Sequence, residues 1–146
     1  MKNLLQTLCG LFLVVFYSSC MNSGDNRVDV LIVGGGASGV TSGIQAARMG
    51  ANTLILEETT WLGGMLTSAG VSAVDGNYRL PAGLWGEFKN RLSDYYGGLD
   101  SLKTGWVSNV LFEPSVGNKI FHEMVSAEKN LKVWKQTRLE EVKRVG

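Results

Sequence analysis

The chain has 146 residues and a formal charge of +1, from 14 basic and 13 acidic residues, with 45% hydrophobic residues, 19 glycines and 2 prolines. That length holds one modest domain. The balanced charge, with no basic stripe interleaved with aromatics, excludes a nucleic-acid-binding surface.

The N-terminal stretch reads as an export signal and not as part of the fold. Lys2 supplies a positive start, Leu4–Tyr17 is almost wholly apolar, and Ser18, Ser19 and Cys20 follow. Such a run is short for a bilayer span, which needs about 20 residues, and suits the core of a cleavable signal. Tyr17-Ser18-Ser19-Cys20 resembles the lipobox of bacterial lipoproteins, with Tyr17 where an aliphatic residue is usual. The resemblance implies a signal peptide over 1–20, lipidation of Cys20 as the first mature residue, and a polar tether over 21–27. It also implies a location on the periplasmic side or outer membrane of a Gram-negative bacterium, with membrane contact through the lipid. Cys9 would leave with the signal and Cys20 would carry lipid. No thiol would then remain for a disulfide, a metal or nucleophilic catalysis.

Val28–Gly34, "VDVLIVG", is dense in β-branched residues and predicts a buried strand of a parallel sheet. Ser38–Met49 predicts a helix with Val40, Ile44 and Ala47 on its apolar face and Gly43 and Ala46 as small flanks. Gly50 is placed to stop that helix in the left-handed conformation. Asn52–Glu58 predicts a second strand. Strand, turn, helix and strand in about 30 residues make a βαβ unit with parallel neighbours.

Beyond Thr59 the pattern loosens into glycine-rich loops. Leu84, Phe88, Leu92 and Tyr95 space as one helix, and Trp106–Phe112 reads as a short strand. Glu113-Pro114-Ser115 marks a helix start, with the helix running over Val116–Asn130. Ile120, Met124 and Ala127 line one face of it, and Val116 extends that face. Leu131–Gly146 alternates as a strand, with Leu131, Val133, Lys135 and Thr137 sharing one parity. A parallel sheet needs cover on both faces, and the loose middle closes no core. The expected fold is therefore α/β with a parallel sheet, with 28–146 as the N-terminal part of a longer chain.

Gly34, Gly36 and Gly39 match G-x-G-x-x-G directly after a strand and at the opening of a helix, with Glu57 closing the second strand 18 residues past Gly39. Gly34 makes the tight turn, Gly36 leaves the approach open to a pyrophosphate, and Gly39 lets helix and sheet close together. The first helical amides and the positive helix end favour phosphate, and Ser38 can add a hydroxyl. A carboxylate at Glu57 accepts hydrogen bonds from the hydroxyls of an adenosine ribose. It would repel a further phosphate there, with no arginine following it. Gly63-Gly64 then opens a second glycine-rich loop, "TTWLGGMLTSAG". Such a loop can lie across the pyrophosphate and ribityl part of a flavin dinucleotide, which favours FAD over NAD.

"DVLIVGGGASGVTSGIQAARMGANTLILEETTWLGGMLTSAGV", from Asp29, resembles the start of the FAD-dependent oxidoreductases with a glutathione-reductase-type FAD domain. It is most similar to the bacterial group related to the flavoprotein subunit of heterodisulfide reductase. The features of that group fall on Asp29, Gly34 to Gly36, Gly39, Glu57 and Leu62 to Thr67. Leu111–Val125 and Leu131–Gly146 resemble its proline-led helix and the strand behind it. The resemblance implies a Rossmann-like FAD/NAD(P)-binding domain, with FAD held by Gly34, Gly35, Gly36, Ala37, Ser38, Gly39, Glu57, Glu58, Gly63, Gly64, Met65 and Thr67. It further implies a cycle in which a small-molecule substrate reduces FAD and an electron acceptor reoxidises it, neither being specified by these residues. An NAD-dependent dehydrogenase and a non-catalytic dinucleotide-binding lipoprotein are the alternatives.

No catalytic base stands out. His122, the single histidine, falls off the apolar face of its helix and reads as solvated. Asp75 and Arg79 fit a substrate-facing pair or a surface turn equally well. Trp61, Trp85 and Trp106 read as core. "HEMVSAE" lacks the second histidine of a zinc motif, and no metal site is expected.

Overall fold

The computed structural model describes residues 27–103 and 108–145. The expected signal with Cys9 and Cys20, the tether except Arg27, and Trp106 lie outside the described residues. Among the described residues, no helix is long and apolar enough to cross a membrane.

Three short strands form one parallel sheet in the order β1 (Val30–Val33), β2 (Thr53–Glu57), β3 (Leu131–Lys135). The helix α1 (Ala37–Arg48) connects β1 to β2, so the βαβ unit forms where the hydrophobic pattern puts it. In α1, Val40, Ile44 and Ala47 are buried, and Gly43 backs directly onto Ile55, with a Cβ there only 2.8 Å from Ile55 Cδ1. The helix ends at Gly50, whose φ of +96° takes the left-handed turn foreseen for it.

Helices cover one face of the sheet. Register pairs Ile32, Ile55 and Val133 across the three strands, and all three join the main core. The other face carries Leu31, Val33 and Trp134, which are 46%, 58% and 40% exposed. This corrects the expectation of a fully buried first strand: β1 alternates between covered and open positions because the described helices pack on one side only. β2, held between two neighbours, is buried along its whole length.

The loose middle does close a core. The helix α2 (Gly83–Tyr96) and the helix α3 (Pro114–Ser126) meet through Phe88, which stacks on Phe121 at 4.4 Å and meets Phe112 edge-on at 5.5 Å. Leu92, Leu102, Ile120 and Met124 are fully or almost fully buried around them. Three expectations shift here. Tyr95 is 53% exposed, because the four-residue row Leu84, Phe88, Leu92 continues to Tyr96, which packs on the core and whose hydroxyl accepts the Glu113 N–H at 3.0 Å. Ala127 caps α3 and is exposed, while Phe121 and Val125 complete the inner face. Residues 110–112 make a single antiparallel bridge to 72–74 and no strand, since only Ala73 and Leu111 pair.

A surface network also joins the helices: Arg48 reaches Glu128 at 2.7 Å and Glu87 at 2.9 Å, and Arg91 reaches Glu87 at 3.2 Å. Exposed pairs of this kind contribute little individually, so burial of the apolar faces carries the fold. Ile44→Ala in the full-length protein is accordingly expected to lower the unfolding free energy by about 2–5 kcal/mol in urea denaturation. Met49→Ala, at a side chain 79% exposed, is expected to change it by less than about 0.5 kcal/mol. Equal losses from the two variants would contradict the inward face assigned to α1.

Candidate functional site

The glycine turn leaves β1 at the carboxyl edge of the sheet, where open α/β folds bind ligands. Gly34 still belongs to the ladder through its N–H, which donates to Leu56 O at 2.8 Å, and then turns at φ +98°. The first bond of the α1 ladder runs from Val40 N–H to Gly36 O at 2.9 Å. The amides of Ala37, Ser38 and Gly39 therefore stand ahead of the ladder, at the positive end of the helix dipole. No acidic side chain occupies that first turn, and Ser38 is exposed beside it.

The three glycines of the motif differ in what they are for. A Cβ on Gly39 would collide with the Gly34 carbonyl, so close packing of helix on turn demands glycine there. Gly34 needs its positive φ. Gly36 sits at φ −63° and ψ 176°, a conformation open to any residue, and a Cβ on it would meet nothing within 4 Å. Nothing in the folding of the described chain calls for glycine at that position.

Glu57, at the end of β2, is buried and faces the turn. One carboxylate oxygen accepts the Gly35 N–H at 2.6 Å and the other accepts the Thr59 N–H at 2.7 Å. Burial pushes its pKa up, but the hydrogen bonds from Thr59 and Gly35 outweigh this and hold it below the ordinary carboxylate value. Two oxygens offer about four lone-pair positions, more than these two amides occupy. Glu58 points outward and is exposed.

The second glycine pair comes to rest directly on the first turn. Gly63 N–H donates to Gly35 O at 2.8 Å, and a Cβ on Gly64 would lie 3.0 Å from Gly36 Cα. Gly63 itself is wedged against the Phe121 ring. Asn118 of α3 accepts the Leu62 N–H at 2.9 Å, and the Thr67 hydroxyl donates to Leu62 O at 2.6 Å. Thr67 is 1% exposed and braces its own loop, whereas Met65 is 68% exposed at the tip. Sequence spacing brought these loops to one edge, but it did not reveal Asn118 or Thr59 as their braces. The one available signal was an asparagine inside a helix, where that residue is intrinsically unfavourable.

A cleft of about 280 Å³ lies at this edge, lined by Gly34, Glu57, Glu58, Thr137 and Arg138 among others. Thr137 arrives because the chain leaving β3 crosses the end of β2, with its N–H donating to Glu57 O at 3.0 Å. Arg138 thus shares the cleft with the two carboxylates. The expectation that no arginine attends Glu57 considered only the residues that follow it in sequence. Parallel β3 delivers one from 81 positions further on.

The remaining candidates lie elsewhere. His122 is half-buried and not fully solvated; burial, and then the Lys135 charge, hold its pKa below the ordinary histidine value. Asp75 and Arg79 are both exposed. Trp85 packs on the core and donates to Asn77 O at 3.0 Å.

A family model described as FAD dependent oxidoreductase matches residues 29–146. Among solved structures, the chain is similar to p-nitrophenol 4-monooxygenase PnpA from Pseudomonas putida DLL-E4, with a TM-score of 0.50 and 12% identity over 80% of this chain and 33% of that one. It is also similar to THI4 from Thermovibrio ammonificans, at TM-score 0.46 and 20% identity over 89% of this chain and 45% of that one. Histamine dehydrogenase from Rhizobium sp. 4-9 gives TM-score 0.40 and 19% identity over 75% of this chain and 11% of that one. At these identities the likeness concerns the fold alone, and the chain spans less than half the length of each. No curated protein matches it.

The Glu57 geometry makes a pH prediction. A carboxylate whose folded pKa is depressed contributes stability that is present above its unfolded value, about 4.3, and is lost as pH falls through the folded value. Glu57→Gln in the full-length protein should cost about 1–3 kcal/mol at neutral pH, because a buried N–H loses its acceptor. Urea denaturation as a function of pH should show the gap between the two proteins closing below about pH 4. A gap that stays constant down to acid pH would contradict the two amide contacts.

Proposed function

The chain belongs to the FAD dependent oxidoreductase family, whose cofactor is FAD, and we propose that its glycine turn holds the FAD diphosphate while Glu57 engages the adenosine ribose. The observation that carries this reading is Gly36, whose missing side chain serves neither the backbone angles nor the internal packing. A Cβ there would enter open space beside the N-terminus of α1. That is the position a diphosphate would take up.

The other residues support the same reading. The amides of Ala37, Ser38 and Gly39 would donate to phosphate oxygens, and the Ser38 hydroxyl would add another donor. Glu57 has acceptor capacity left after holding Gly35 and Thr59, which suits two ribose hydroxyls. Glu58, Thr137 and Arg138 would border the adenosine half. Gly63 and Gly64, resting on Gly35 and Gly36, would bring the backbone of the second loop alongside the diphosphate, with exposed Met65 toward the flavin half. Thr67 would contribute by fixing the loop at Leu62.

When bound, FAD would supply hydride or electron transfer between a small-molecule substrate and an acceptor. The chain's own residues orient the cofactor; none of those described is assigned as the base of that reaction. We further read residues 1–20 as an export signal and Cys20 as a lipid anchor, on the strength of the apolar Leu4–Tyr17 run and the Ser18-Ser19-Cys20 that follows. Substrate and acceptor would then be met on the periplasmic side or at the outer membrane.

Gly36→Ala in the full-length protein tests the cofactor reading. Its unfolding free energy without FAD should stay within about 0.5 kcal/mol of the parent. Its FAD affinity, followed by flavin fluorescence quenching, should fall at least about tenfold, a loss of about 1.4 kcal/mol. Unchanged affinity in a folded variant would refute the placement of the diphosphate over Gly36.

A further inference from the structure

Lys89, on the inner side of α2, is only 6% exposed. Its ammonium donates to the carbonyls of Tyr78 at 2.7 Å and Leu80 at 2.8 Å. An ammonium carries three donors, and the third has no partner among the described residues. Lysine is almost never buried unless paired, and a buried cation without an anion is costly. Here the partners are two neutral carbonyls, and the described chain supplies no carboxylate.

Lys89 lines a cleft of about 700 Å³, larger than the one beside the glycine turn and made of different residues. Arg79 comes from the loop before α2, and Lys103 from the turn after it. Lys103 also pairs with Asp100 at 2.8 Å, and the Arg79 guanidinium lies 5.4 Å from the Tyr78 ring. The cleft lining itself contains three cations and no carboxylate, with Asn109 as a further hydrogen-bonding side chain and Leu99 and Val110 as apolar wall. A compact negative group suits these cations, and a hydrocarbon body suits the apolar lining.

We propose that this cleft binds a small organic carboxylate, its carboxyl group received by Lys89 and Arg79 and its apolar body by Leu99 and Val110. The proposal does not rest on the cofactor reading, because the two clefts share no lining residue. Isothermal titration of the full-length protein with benzoate, the neutral isostere benzamide and inorganic phosphate tests it. Benzoate should bind at least about tenfold more tightly than either of the others, a difference of about 1.4 kcal/mol.

Arg79→Gln, at an exposed residue, should leave the fold intact and weaken benzoate several-fold. Lys89→Met should abolish benzoate binding; where that variant fails to fold, Arg79→Gln decides. Equal affinity for benzoate and benzamide would overturn the electrostatic half of the proposal. Phosphate binding as tightly as benzoate would overturn the apolar half. Absence of benzoate binding at millimolar concentration, or an Arg79→Gln variant that binds it unchanged, would overturn the site itself.

Discussion

One carboxylate joins the parts on which the site depends. Two loops leave the sheet at the same edge, one after β1 and one after β2, and each begins with an amide that the strand ladder no longer serves. Glu57 accepts both, Gly35 N–H on one oxygen and Thr59 N–H on the other. Its burial disfavours the charge, and the two charge-assisted hydrogen bonds more than offset that. The carboxylate is thereby oriented before any ligand arrives, with acceptor positions still free. Preorganisation of this kind reduces the ordering cost of binding.

The rest of the edge is built outward from that contact. With Gly35 fixed, its carbonyl takes the Gly63 N–H, and the second glycine loop settles against Gly36. Asn118 and Phe121 press on that loop from α3, so a helix far along the chain determines how closely the two glycine segments approach. α3 is in turn positioned by the Phe88, Phe112 and Phe121 cluster. The aromatic core is thus linked to the candidate site through an uninterrupted series of contacts. At this edge the tightest packing surrounds Gly35, Gly39 and Gly63, and Gly36 alone in the turn combines open space with unstrained backbone.

The local part of this arrangement was legible in the sequence. Periodicity over Val28–Glu58 located β1, α1 and β2, and the spacing from Gly34 to Glu57 marked the turn and carboxylate as neighbours of one ligand without indicating the hydrogen bond between them. The two main elements that close the core, α2 and α3, were also visible from their apolar spacing. What escaped was set by tertiary contact. Tyr96 replaced Tyr95 because a four-residue row drifts around a helix differently from a three-residue step. The open face of β1 depends on which side the helices pack, which a run of aliphatics cannot specify. Asn118, Arg138 and Lys89 act through neighbours distant in sequence, or through backbone carbonyls whose direction no spacing encodes. Thr67 was grouped with cofactor contacts through its loop, and the structure turns its hydroxyl inward to Leu62.

We propose the edge formed by Gly36, Glu57 and Gly63-Gly64 as the seat for one adenine dinucleotide carrying a flavin. The most direct measurement is the flavin content of the unmodified full-length protein after saturation with FAD and removal of free cofactor by gel filtration. About one FAD retained per chain is expected, from a one-site binding equilibrium. Protein that is folded by circular dichroism yet retains no flavin would contradict it.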